Sequence, residues 1–171
     1  WASSAGAQLN AVEQEIGHYV DAGVPQALEL LQRSVDINSG TMNFSGVRKV
    51  GALFSQELEA LGFEVEWIDG AEFKRAGHLV ASRGVSGPKI LLIGHLDTVF
   101  EPSSDFQDFE RIDERYAKGP GATDMKGGDV VMLLALKALQ DAGVLRQMQL
   151  RVVMTGDEES RGLPHAVANR A

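Results

Sequence analysis

The sequence KILLIGHLDT, residues 89–98, decides the fold class of this chain. Its first half, residues 89–93, is a short apolar run, which is typical of a central β-strand covered on both faces. A second such run, LRVVM at residues 150–154, predicts a second central strand. Between the two, residues 129–140 are apolar on nearly every side and predict a buried helix. Strands that alternate with helices favour an α/β sandwich of three layers with a mixed, mostly parallel sheet.

The residues on either side of this pair predict further elements of the same domain. Residues 24–25 (Val-Pro) predict the start of a helix, because proline costs nothing in the first helical turn. An apolar stripe predicts a second helix that ends at Gly62. The other predicted elements are strands at residues 63–68 and 78–81, a small hairpin within residues 110–118, and a final short helix at residues 162–170.

Composition excludes several classes of protein. The 171 residues include 16 basic and 24 acidic ones, and a formal net charge of −8 argues against binding to nucleic acid or to an anionic membrane surface. No apolar run approaches the ~20 residues that span a bilayer. The absence of cysteine excludes disulfides and thiolate zinc sites. The small residues after Trp1 resemble what a cleaved export signal leaves, so a periplasmic or secreted location is favoured over a cytoplasmic one.

Three polar segments lie where a predicted strand ends or a loop leads into a helix, which is where ligand sites of α/β sheets collect. They are GHLDT at residues 94–98, GPGATDMKGG at residues 119–128, and TGDEE at residues 155–159. Imidazole and carboxylate groups are standard zinc ligands, and a glutamate beside a metal-bound water is a suitable general base. The three segments together therefore predict a hydrolytic zinc site.

Each segment taken alone also has a simpler interpretation. The His-x-Asp triplet could be a capped strand end, and Asp124 could be the N-cap of a buried helix. The acidic run at residues 157–159 could be a solvated surface. The order of the three segments and their positions at strand ends favour the zinc site over these alternatives.

The chain resembles the catalytic domain of the co-catalytic zinc peptidases. This family includes aminoacylase, acetylornithine deacetylase, succinyl-diaminopimelate desuccinylase and the bacterial glutamate carboxypeptidases. The resemblance begins with VDINSGT at residues 35–41 and LGF at residues 61–63. The form GHLDTV at residues 94–99, followed by GPG at residues 119–121, is most similar to the glutamate carboxypeptidase branch.

This resemblance implies a role for each of five residues. His95 would bind one zinc ion, Glu159 would bind a second, and Asp124 would bridge both. Asp97 would orient His95, and Glu158 would be the general base that activates a water molecule for attack on an amide carbonyl. The resemblance also implies a cis peptide bond after Asp124. Cobalt or manganese ions would also suit such ligands.

The family's later ligands and its dimerisation domain are not in this sequence, which ends twelve residues after Glu159 (171 − 159 = 12). Residues 1–171 are therefore expected to be the N-terminal part of a catalytic domain whose full-length form is a homodimer. Each zinc ion would have only two protein ligands here, His95 with Asp124 and Asp124 with Glu159. Fewer than three ligands is unusual for a catalytic zinc site, so this chain alone is expected to bind zinc weakly and to lack amidase activity.

The favoured function is zinc-dependent release of a C-terminal amino acid from a peptide or an N-acyl amino acid, as in a glutamate carboxypeptidase. A deacylase of the same family is the nearest alternative. A non-catalytic fragment or interaction module that keeps the fold is an alternative from another class. A nucleotide-binding domain is disfavoured, because no Gly-Lys-Ser/Thr follows the glycine-rich loop.

Overall fold

The computed structural model describes residues 8–162, in which three helices pack on one four-stranded sheet. The helices are α1 (Ala11–Val35), α2 (Phe44–Ala60) and α3 (Lys126–Asp141). The strands are β1 (Glu64–Asp69), β2 (Gly77–Arg83), β3 (Lys89–His95), β4 (Glu110–Arg111), β5 (Ala117–Lys118) and β6 (Gln149–Thr155). The predicted strands and hairpin are thus confirmed, whereas the predicted helix at 162–170 lies almost wholly outside the described residues.

The start predicted for the first helix is wrong. Helix α1 begins at Ala11 and Pro25 lies in its interior. A capping box begins the helix: the Asn10 side chain accepts the Glu13 N–H at 3.0 Å, and the Glu13 carboxylate accepts the Asn10 N–H at 2.8 Å. Packing of α1 along α3 supplies the stabilisation that offsets the backbone hydrogen bond proline cannot donate.

The sheet is mixed, with strand order β1-β2-β6-β3. Parallel pairing is less common than expected in the sheet that residues 8–162 form, because β3 and β6 are its only parallel pair, while β1–β2 and β2–β6 are antiparallel. Residues 70–76 join β1 to β2, and this connection is too short for the crossover that a parallel pair requires.

Among the strands of residues 8–162, β3 lies at the edge of the sheet, so the expectation that it is central and covered on both faces is wrong for this part of the chain. Its outward side chains Leu91 and Ile93 are 57% and 65% exposed. Within residues 8–162 the three helices pack on the opposite face of the sheet, so these residues form two layers rather than three. An apolar run cannot distinguish a strand covered on both faces from one whose second face is open.

The core lies between the helices and the inner face of the sheet. The predicted stripe of α2 is confirmed: Val47, Val50, Phe54 and Leu58 are all fully buried. They pack in one cluster with residues of α3 and with alternate residues of β6, whose central position agrees with the prediction. No helix within residues 8–162 is long and apolar enough to cross a membrane. This core fixes the end of the sheet where β3 and β6 both terminate, at His95 and Thr155.

Candidate active site

The parallel pairing of β3 with β6 brings two of the three polar segments to one edge of the sheet. His95 at the end of β3 lies in register with Thr155 at the end of β6. The Leu96 N–H donates to the Thr155 carbonyl at 2.7 Å, which extends the pairing beyond the strand. Because parallel strands end at the same edge, the residues that follow each strand lie side by side.

The predicted metal ligands and general base meet at this edge. One nitrogen of His95 and one carboxylate oxygen each of Glu158 and Glu159 all lie within 4.8 Å of one another. The remaining segment, residues 119–128, supplies Asp124, whose Oδ1 lies 2.9 Å from His95 Nε2. The peptide bond between Asp124 and Met125 is cis, as the resemblance implies. Imidazole and carboxylates in this arrangement are a donor set that fits zinc.

The Asp97 side chain has more contacts than the sequence predicts. It is fully buried, and its Oδ1 and Oδ2 accept the backbone N–H groups of Glu158 and Glu159 at 3.1 and 3.0 Å. Oδ2 also accepts the Thr41 hydroxyl at 2.7 Å. The nearest acceptor for His95 Nδ1 is the Asp97 backbone carbonyl at 2.9 Å, with the carboxylate at 3.5 Å. Asp97 therefore orients the glutamate backbone as well as the imidazole.

The electrostatics of the site follow from these contacts. Burial disfavours the charge on His95, but hydrogen bonds to Asp97 and Asp124 outweigh it and raise the pKa of His95 to about 9. Burial likewise opposes the charge on Asp97, yet the donors around that carboxylate hold its pKa below the ordinary value. Partial burial and the neighbouring Asp124 raise the pKa of Glu159. The cluster thus concentrates negative charge around one imidazole, which favours a cation there.

Two residues that support the site have no predicted role in the sequence analysis. Lys126 is fully buried, and its Nζ donates to the carbonyls of Ser34 and Ile37 at 2.8 and 2.9 Å, which ties the Asp124 segment to the end of α1. Thr41 is the other. Thr41 lies inside a stretch that carries the family resemblance and Lys126 inside the polar segment at residues 119–128, but a hydrogen bond between residues distant in sequence has no local signal.

Comparison with known proteins identifies relatives of this chain. Residues 91–171 match the model of peptidase family M20/M25/M40. The chain is 32% identical over 136 residues to carboxypeptidase G2 of Pseudomonas sp. (strain RS-16), covering 79% of this chain and 33% of that protein. The chain is a relative of the M20/M25/M40 peptidases. Succinyl-diaminopimelate desuccinylase of Acidiphilium cryptum (strain JF-5) is 34% identical over 142 residues, covering 80% of this chain and 34% of that protein.

Solved structures of peptidases share the fold. Human carnosine dipeptidase 1 superposes with a TM-score of 0.75 at 20% identity, covering 91% of this chain and 36% of that one. The di-peptidase Dug1p of Saccharomyces cerevisiae superposes with a TM-score of 0.74 at 20% identity, covering 88% of this chain and 35% of that one. The chain spans about a third of the length of the curated relatives it matches.

Proposed function

We propose that this M20/M25/M40 relative takes part in zinc-dependent hydrolysis of an amide bond, with release of a C-terminal amino acid as in a glutamate carboxypeptidase. The observation that carries the proposal is the convergence of His95, Glu158 and Glu159 within 4.8 Å at the edge where β3 and β6 end. The relatedness to a carboxypeptidase supports the choice of a C-terminal amino acid as the product.

The metal ligands in this proposal are His95, Asp124 and Glu159. His95 and Glu159 would bind different zinc ions, and Asp124 would bridge the two. The Asp124 side chain is 76% exposed, so its carboxylate is accessible to a second ion. The proton that the metal-free His95 holds on Nε2, shared with Asp124 at 2.9 Å, must leave before the nitrogen can bind zinc.

The proposed proton carrier is Glu158. Zinc, when bound, lowers the pKa of a coordinated water molecule and polarises the scissile carbonyl. The Glu158 carboxylate would accept one proton from the attacking water molecule as the water oxygen forms a bond to the carbonyl carbon. Glu158 then delivers the same proton to the departing nitrogen as the C–N bond breaks, so the residue returns to its starting form. Its position next to Glu159, with both N–H groups held by Asp97, keeps base and ligand together.

We further propose that residues 1–171 are the N-terminal part of a catalytic domain whose full-length form is a homodimer. The coverage of about a third of each curated relative supports this division. Two protein ligands per zinc ion are too few for a tight catalytic site, so residues 1–171 alone should bind zinc weakly and lack activity. The periplasmic or secreted location remains a prediction of the sequence.

The alternative of a non-catalytic module makes a different prediction about the same residues. A module without catalysis needs neither a general base nor a metal ligand at the sheet edge. The chain keeps both, and the structure brings His95, Asp124, Glu158 and Glu159 together. This convergence favours the enzyme.

The proposal is tested with the longest natural polypeptide that contains these residues, assayed on acyl-glutamate and other acyl-amino acid substrates with added zinc. The Glu158→Gln variant should lower kcat by at least about 10²-fold, because it removes the proton acceptor while preserving shape. Zinc affinity should change little, because Glu158 is not one of the proposed ligands. Substantial activity in the variant, or none in the unaltered protein with two zinc ions bound, would contradict the proposal.

A further inference from the structure

We propose that His78 and Arg75 are positioning residues that hold the two ends of the glutamate loop, defined as residues 156–162, so that Glu158 and Glu159 face His95. The importance of this positioning for metal binding rests on the proposed function. The contacts themselves involve residues to which the sequence assigns no functional role: His78 was expected only to begin a strand.

His78 holds the first residue of the glutamate loop. The side chain is buried, and its ring stacks on Phe73 with centroids 5.1 Å apart and planes 8° from parallel. Its Nδ1 accepts the Gly156 N–H at 3.3 Å. Because a backbone N–H can only donate, this hydrogen bond requires a lone pair on Nδ1 and hence a neutral ring with its proton on Nε2, although Asp157 Oδ1 also lies 3.8 Å from Nδ1. The stacking and the hydrogen bond together fix the ring in one orientation.

Arg75 holds the far end of the loop. Its Nε donates to the Ser160 carbonyl at 2.6 Å, and Nη2 donates to the Arg161 carbonyl at 3.1 Å. A third bond, from Nη1 to the Lys74 carbonyl at 2.7 Å, holds the guanidinium in place. Within the loop, Asp157 Oδ2 accepts the Gly162 N–H at 2.9 Å, so the two ends are also tied to each other.

Two glycines allow the loop to lie this close to the start of β2. A Cβ atom at Gly156 would collide with the Gly77 carbonyl oxygen. A Cβ atom at Gly162 would lie 2.5 Å from the Phe73 carbonyl oxygen and 2.9 Å from Arg75 Cγ. Both ends of the loop therefore press directly on the backbone next to His78 and Arg75. This independent steric evidence agrees with the hydrogen bonds.

Between these anchors the loop is held once more, by Asp97, which accepts the N–H groups of Glu158 and Glu159. With both ends and the middle fixed, the backbone that carries the two glutamates is held in one position next to His95. Residues that orient metal ligands from outside the coordination sphere typically contribute 10- to 100-fold to metal affinity. We expect His78 and Arg75 to contribute in this way.

The experiment compares His78→Phe with His78→Asn in residues 1–171. Phenylalanine keeps the stacking on Phe73 but removes the acceptor, whereas asparagine restores an acceptor close to the position of Nδ1. We expect His78→Phe to speed hydrogen exchange of the Gly156 amide at least tenfold and to weaken Zn²⁺ binding about tenfold or more. His78→Asn should recover most of both losses. His18→Phe, at an exposed histidine of α1, is the matched control.

Arg75→Gln tests the second anchor, with Arg48→Gln as its control, since Arg48 pairs with the exposed Asp69 instead. We expect faster exchange of the Gly162 amide and weaker Zn²⁺ binding in the first variant alone. Unchanged exchange and unchanged Zn²⁺ affinity in both His78→Phe and Arg75→Gln would overturn the proposal.

The tautomer of His78 decides the question if the variants do not fold. The ¹⁵N chemical shifts of the unaltered chain should show Nδ1 unprotonated and Nε2 protonated, and a proton on Nδ1 would refute the contact with Gly156. A His95→Ala control separates this proposal from the proposed function. If that change leaves Zn²⁺ affinity intact, the metal site is wrong, while the Gly156 exchange rate still tests the positioning role.

Discussion

Replacing Asp97 with asparagine should destabilise the metal-free protein, because this buried carboxylate holds three donors. They are the Thr41 hydroxyl and the N–H groups of Glu158 and Glu159. An asparagine that keeps its oxygen towards Thr41 and Glu159 turns its NH₂ group towards the Glu158 N–H. That donor is left without a partner at a cost of about 1–3 kcal/mol, and the two remaining bonds lose the strength that a charged acceptor gives them. We therefore expect the free energy of unfolding to fall by about 2–4 kcal/mol. The fall is no larger because a neutral amide costs less to bury than a carboxylate, which offsets part of the loss.

Urea unfolding of residues 1–171 with a chelator present, followed by circular dichroism at pH 7, measures this loss. The matched control is Asp69→Asn, which weakens an exposed ion pair with Arg48 and should destabilise the protein far less, because solvent screens exposed charges. Since the pKa of Asp97 is held below its ordinary value of 3.8, its stabilisation is present above that pH and is lost as the pH falls further. The deficit of the Asp97 variant should therefore shrink in acid. A deficit no larger than that of the control would refute the hydrogen-bonding role of Asp97.

Three further substitutions test other parts of the site. Thr41→Val removes one donor to Asp97 and should cost about 1–2 kcal/mol in the same unfolding assay. Asp129→Asn removes a buried carboxylate that has no hydrogen-bond partner among residues 8–162. Burial raises the pKa of Asp129 to about 7. The folded protein keeps a proton that the unfolded chain releases, so native stability should fall between pH 4 and 7 by up to roughly 4 kcal/mol, and the variant should lack this fall. Gly94→Ala would press a Cβ atom against the Asp129 carboxylate and should cost about 1–3 kcal/mol, most of which Asp129→Ala should recover in the double variant; additive losses would contradict that contact.

The residues of the candidate site could be predicted because their signals are local. A polar segment at the end of an apolar strand marks one end of a sheet: His95 is the last residue of β3, and Glu158 and Glu159 follow β6. The helical stripe of α2 is equally local, since burial of one face needs only the 3.6-residue period.

The errors arose where tertiary packing outweighs local signals. A proline such as Pro25 is common in the first turn of a helix, yet the capping box at Asn10 starts α1 at Ala11, thirteen residues before Val24 (24 − 11 = 13). The apolar residues Leu91 and Ile93 predicted a covered strand, but their exposure depends on which segments pack on that face. His78 and Arg75 had no predicted function, because their partners lie about 80 residues further along the chain.

The location of bound zinc tests the assignment of the metal ligands most directly. Crystals of residues 1–171 equilibrated with saturating zinc can be measured on both sides of the zinc absorption edge. We expect one anomalous peak about 2.0–2.1 Å from His95 Nε2 and next to the Asp124 carboxylate, and a second peak between the carboxylates of Asp124 and Glu159. Zinc bound only at other residues, or no peak at His95, would contradict the proposed metal centre.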